Sequence, residues 1–150
     1  MFRGSFEHSI DEKGRVSIPV RFRDILQGLG DNRVVITNFR IGGGPCLDVY
    51  PSKSWHELED KLRAKPQFDL KLLRFQNYYF ASAQDCDLDR QGRILLPPIL
   101  RDYAQLKKDV LFTSAIDKFR IWSPELFAKS FAEVDQQLVE HPEELSDLGF

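Results

Sequence analysis

The chain has 150 residues, 42% apolar and 29% charged, and a formal net charge of −2. This composition excludes fibrous and disordered classes and suffices for a buried core in one domain or two small ones. No apolar run has the length of a signal peptide or a membrane span, so a cytosolic protein is expected. The charge excludes a uniformly basic nucleic-acid binder, but it is unevenly spread. Residues 125–150 hold seven acids against one base, Lys129, which leaves 20 bases and 16 acids, or +4, in residues 1–124.

The opening MFRG leads into an alternating segment, FEHSID, and then the pentapeptide DEKGR at Asp11 to Arg15. Asp at the first position and Gly at the fourth suit a type I turn followed by a left-handed Gly14. Such a three-residue hairpin sets Asp11 and Arg15 opposite each other as a cross-strand ion pair. RVSIP is the returning arm, and Pro19 ends it where the first turn of a helix has no use for an N–H. The predicted helix carries Phe22, Ile25, Leu26 and Leu29 at the i, i+3, i+4, i+7 spacing of a buried stripe. Two strands follow, RVVITNF and CLDVYP, joined by a Gly42, Gly43, Gly44 turn. Beyond them the spacing predicts a helix with Trp55, Leu58 and Leu62, and another with Phe68, Leu72, Phe75 and Tyr79.

From residue 81 the plan repeats. The arms ASAQDCDLD and RILLP enclose DRQGR at Asp89 to Arg93, 78 positions after DEKGR, and predict a second left-handed glycine, Gly92. DEKGRVSIPVRFRDIL aligns without a gap to DRQGRILLPPILRDYA, so that Pro19, Arg23 and Asp24 meet Pro97, Arg101 and Asp102. RVVITNF corresponds to DVLFTSA, and LDVYP before Trp55 to FRIWSP before Phe127. Such self-similarity marks an internal duplication. Residues 1–80 make a first repeat with a linking helix, and residues 81–150 a second with an acidic C-terminal tail, whose helix bears Phe127, Phe131, Val134 and Leu138. One half can neither hide its sheet edges nor fill a core. The duplication therefore implies an α+β, strand-rich, pseudo-two-fold domain in which the hairpins of both copies pair or interleave into one small barrel with helices outside.

Enzyme and metal chemistry find little support. Cys46 and Cys86 have no CxxC spacing, and His8, His56 and His141 lie far apart, so neither a disulfide nor a zinc site is expected. Asp85, Asp87 and Asp89 share one strand face, but an EF-hand loop starting at Asp85 would need Gly and Glu where Arg90 and Leu96 stand. IGGGPC lacks the following Gly-Lys-Ser/Thr of a phosphate loop and precedes a strand. The twin Asp/Arg tips remain. Turn chemistry accounts for Asp and Gly, whereas Arg after both glycines suggests an outward cationic task. Arg15 and Arg93, flanked by Lys13 and Arg90 and held by Asp11 and Asp89, suit phosphate contact or guanine readout.

The opening MFRG, the segments DEKGRVSIP and DRQGRILLP, the helix before FASAQDCDLD and the acidic C-terminus together resemble the MraZ family of bacterial transcriptional regulators, built from two SpoVT/AbrB-type repeats. The resemblance covers essentially the whole chain. It implies a swapped-hairpin, AbrB-like double-psi barrel, a ring-shaped homo-oligomer of octamer size, and a cytoplasmic, nucleoid-associated repressor. Double-stranded DNA would be its partner, at short promoter repeats of the division and cell-wall gene cluster, with no cofactor, metal, membrane or small-molecule substrate. The family motif falls on Asp11, Gly14 and Arg15 and again on Asp89, Gly92 and Arg93, with Lys13, Arg90 and Arg3 as further DNA-contacting cations. Gln91 stands where Lys13 has its counterpart. An interaction module of AbrB fold, such as an antitoxin, is the alternative.

Overall fold

Both pentapeptides fold as tight turns, but the arms beside each turn separate and pair with the other copy. The computed structural model describes residues 1–42 and 44–150, so Gly43 of the predicted glycine turn lies outside the described residues. In chain order the first copy contributes β1 (Ser5–Ser9), β2 (Arg15–Ser17), α1 (Val20–Gly28), β3 (Arg33–Ile41), β4 (Gly44–Pro51) and α2 (Ser52–Arg63). Helix α3 (Leu70–Phe75), continued by a π-helical turn at Gln76–Phe80, leads to the second copy. That copy contributes β5 (Gln84–Asp87), β6 (Arg93–Leu95), α4 (Pro98–Tyr103), β7 (Asp109–Ser114), β8 (Phe119–Trp122), α5 (Pro124–Glu140) and α6 (Glu143–Asp147).

Six strands form one antiparallel sheet in the order β1-β7-β8-β4-β3-β5, and β2 pairs with β6 in a separate ribbon. Exchanging equivalent strands of the two copies leaves this order unchanged. Strand β1 of the first copy lies on β7 of the second, and β5 of the second lies on β3 of the first. In the centre β4 pairs with β8, Asp48 opposite Arg120. The hairpins thus interleave as the duplication requires, within the expected α+β, strand-rich class. The hydrogen-bonded barrel, however, does not close. Among the described residues β1 and β5 are each paired on one side only, and the β2 and β6 arms are three residues long because Pro19 and Pro97 follow so soon.

The alternation of the arms decides which face goes inward. Val16 and Ile94 sit opposite each other in the ribbon, both 1% exposed, and face the main core with Ile18 and Leu96. Phe22 of α1 meets Phe2, Phe6 and Phe119 at ring separations of 5.2, 5.4 and 4.9 Å. Each such side chain contributes about 1.5–3 kcal/mol by leaving water. A second cluster, Val35, Tyr50, Trp55 and Tyr79, packs α2 and the π turn onto the sheet.

The linking helix differs from its predicted span. Asp69 caps it by accepting the Lys71 N–H at 2.8 Å, so the helix begins at Leu70 and Phe68 lies ahead of it, 96% exposed. At the other end Ala81 donates to the Gln76 carbonyl five residues back, and the wider turn lets Tyr79 stack on Phe75 at 4.8 Å. Helix α5 differs in packing: its stripe docks through Phe127 on Trp122, rings 5.7 Å apart, but no residue of the helix is buried. Among the described residues no helix is long and apolar enough to cross a membrane, and Cys46 and Cys86 are free and buried.

Candidate nucleic-acid interface

The two tips are built alike, and the aspartate does most of the building. Asp11 Oδ1 accepts the backbone N–H of Lys13 and of Arg15, both at 2.9 Å, and Oδ2 accepts Arg15 Nε at 2.9 Å. Asp89 repeats the pattern with the N–H of Gln91 and Arg93 at 2.9 Å and Arg93 Nε at 2.8 Å. Backbone bonds complete each turn. The Asp11 N–H donates to the Arg15 carbonyl at 2.8 Å and the Gly14 N–H to the Asp11 carbonyl at 3.0 Å, with the same pair at Asp89, Gly92 and Arg93. Gly14 and Gly92 hold φ of +85° and +74°, the left-handed conformation the turn type demands. Donation from the backbone N–H of Arg15 and Arg93, reinforced by their guanidinium groups, holds both carboxyls below the usual carboxylate range.

The strand exchange then brings the two tips together. Leu96 N–H donates to the Gly14 carbonyl and Ile18 N–H to the Gly92 carbonyl, each at 3.0 Å, extending the β2–β6 ribbon at both ends. With Val16 and Ile94 turned inward, the period of two places Arg15, Ser17, Arg93 and Leu95 on the outward face. Arg93 Nη1 comes within 4.0 Å of Asp11 Oδ2, so the second copy's arginine also feels the first copy's carboxylate. Lys13 and Arg90 are exposed in the tips. Arg3 is exposed too, but it stands beyond the far end of β1, next to the Phe2 and Ile116 bridge. Seven residues of mostly extended chain lie between it and Asp11, a span of about 25 Å.

A further pair of cations emerges that residue spacing did not single out, although both occur in the aligned segments. Arg23 of α1 donates to the Gln91 carbonyl at 3.0 Å and lies over Gly92, where an added Cβ would stand 2.2 Å from Arg23 Cδ. Arg101 of α4 lies near Gly14, 3.7 Å from the corresponding position. Each copy's first helix thus sets an arginine beside the other copy's tip, but only Arg23 bonds to it, whereas Arg101 donates to the Lys107 carbonyl of its own copy.

The remaining polar features are structural. Asp87 pairs with Arg33 at 2.7 Å on an exposed strand face, and the described residues contain no cluster fit for a metal. Asp48 is 1% exposed and accepts Arg120 Nε at 2.7 Å and the Tyr79 hydroxyl, which in turn meets the Tyr50 hydroxyl at 2.6 Å. Burial pushes the Tyr50 hydroxyl up to about 12, and Tyr79 is raised by burial and by Asp48. Burial likewise raises the Cys46 thiol to about 12 and that of Cys86 to about 11, which leaves both unreactive.

Comparison with known proteins adds an independent line. The model of the MraZ protein family, described as antitoxin-like, matches residues 1–76 and again 79–148. A relative from Desulfitobacterium hafniense (strain DSM 10664 / DCB-2), named transcriptional regulator MraZ, is 40% identical over 149 residues, 99% of each chain. Relatives of the same name from Desulforamulus reducens and Thioalkalivibrio sulfidiphilus are 39% identical over 148 residues and 42% over 140, covering 99% and 91% of each chain.

Proposed function

The chain belongs to the MraZ family of transcriptional regulators, and on that premise we propose that it regulates transcription by binding double-stranded DNA with the outward face of the β2–β6 ribbon. As a regulator of this family it is not an enzyme. One observation carries the reading: Arg15 and Arg93 stand on the same face of one ribbon, each fixed through Nε by its own aspartate. A guanidinium held in place before binding loses less side-chain entropy when it meets its target. Its remaining N–H groups suit a phosphate or the O6/N7 edge of guanine, and a two-stranded ribbon fits the major groove. Lys13 and Arg90 at the tips, with Arg23 and Arg101 behind them, add the positive field that the net charge of the chain conceals. Arg3, remote from the ribbon, would meet DNA only along the flanking backbone.

On this reading residues 1–80 and 81–150 act as two repeats that jointly supply one ribbon per subunit. A ring of subunits, eight in the form the resemblance implies, sets successive ribbons on successive short repeats in the promoter of the division and cell-wall gene cluster. The protein then represses that promoter in the cytoplasm, at the nucleoid. Effective concentration turns weak single contacts into usable affinity. The test is a titration against DNA carrying one, two or three promoter repeats at two salt concentrations. Affinity rises with repeat number, and log K falls against log salt with a slope of about −0.9 per phosphate contact. A single repeat bound as tightly as three contradicts the mechanism.

A further inference from the structure

Two exposed surfaces take no part in the ribbon, and their chemistries are complementary. The first is α5. Phe127, Phe131, Val134 and Leu138 recur at helical spacing, yet Phe131 is 62% exposed and Val134 43%. This helix and the residues after it carry the seven acids set against Lys129 alone. The second is the projection formed by the end of α2 and the start of α3, residues 61–74. Lys61, Lys65, Lys71 and Arg74 stand there with Asp69 around exposed Phe68, Leu70 and Leu73, a net charge of +3 once Arg63, which pairs with Asp60 at 2.5 Å, is set aside. Water-exposed aromatic and aliphatic groups ringed by charge of one sign have the composition of an interface core and rim.

Within one protomer the two surfaces leave each other uncovered. Helix α2 packs on β3 and β4 and α5 on β4 and β7, while Phe68, Leu70, Leu73, Phe131 and Val134 remain in solvent.

We infer that these surfaces dock on one another between neighbouring copies, the acidic stripe of α5 lying on the basic α2–α3 projection of the next subunit. The inference rests on the ring proposed above and names its contact. Each subunit gives one surface and receives the other, the heterologous arrangement from which rings close. Pairing α5 with a second α5 would instead set acid against acid across the contact. Phe68 and Phe131 are the aromatic anchors, and the charges around them set the order of subunits.

The experiment uses two charge-reversed full-length variants, Lys61→Glu/Lys65→Glu/Lys71→Glu and Glu133→Lys/Asp135→Lys/Glu140→Lys. All six positions are exposed, so both variants are expected to fold and to melt cooperatively, below the parent only by what assembly contributes. Light scattering is expected to find each variant alone at the 17.4 kDa of a single chain, and their equimolar mixture restored to the mass of the parent assembly. Restoration is the decisive result, because in a mixed ring every contact is again acid on base. If both variants assemble like the parent, the named contact is wrong while the ring stands. If the Lys variant assembles but loses DNA affinity, the projection is a DNA surface and the inference is likewise overturned. A parent that stays monomeric at every concentration refutes the ring itself.

Discussion

The pseudo-two-fold relation brings equivalent strands face to face at two places, and the copies treat them in opposite ways. In the β2–β6 ribbon Val16 meets Ile94, and on the outward face both copies set arginine, Arg15 and Arg93. In the β4–β8 pair the equivalent residues Asp48 and Arg120 meet, and they differ. Solvent explains the contrast. Arg15 and Arg93 are about a third exposed, each beside its own aspartate, so like charges coexist. Asp48 is buried, and two like charges facing each other there would lie uncompensated in a low dielectric. Repeats can stay alike where they face outward, but they must diverge where they meet inside.

The strongest way to break this comparison is at the buried pair. Arg120→Leu leaves Asp48 without its cation and is expected to cost about 3–5 kcal/mol in urea unfolding, whereas adding Asp48→Leu should recover most of the loss. A single variant within about 1 kcal/mol of the parent would show that the buried pair is not what separates the copies.

The tips offer a finer contrast. Gly14→Ala and Gly92→Ala each force a side chain into left-handed backbone, at about 1–2 kcal/mol. Gly92→Ala must also displace Arg23 and its bond to the Gln91 carbonyl, worth about 1 kcal/mol more. Equal losses of melting temperature in the two variants would mean that Arg23 does not support the tip.

The smallest effect is with pH. Asp11 and Asp89 have folded pKa values below the ordinary one, so their contribution is fully present above about pH 4 and is lost as pH falls through the lower folded values. Arginine placement, followed by NMR of the guanidinium Nε–H, is expected to hold steady from about pH 5 to 8 and to loosen only in acid. Loosening at neutral pH would contradict the pinning.

Much of this was legible in the sequence, for reasons that residues make plain. Asp, Gly and Arg in one pentapeptide specify a turn from local chemistry alone, and their recurrence 78 positions on revealed the duplication. The exchange of strands could be anticipated only as pairing or interleaving, because an alternating arm such as FEHSID does not say which strand it will join. The Asp48 and Arg120 pair was invisible for the same reason: a charge within a strand reads as a solvated face until its partner, 72 positions away, is known. Spacing places Phe68 on the linking helix because periodicity ignores the cap at Asp69. In α5 the stripe lies where the spacing puts it, but beyond the contact of Phe127 with Trp122 its Phe131 and Val134 stay in solvent.

The most direct test is the affinity of Arg15→Ala and Arg93→Ala for three-repeat promoter DNA, measured beside their melting curves. Exposed ion pairs contribute about 0–1 kcal/mol to stability, so both variants should melt close to the parent. Arg15→Ala is expected to lose about 1–3 kcal/mol of specific binding, roughly fivefold to 150-fold, and Arg93→Ala less, since Gln91 replaces the lysine at its tip. Parent-like binding by Arg15→Ala, with the fold intact, would contradict the assignment of the ribbon as the DNA-reading face.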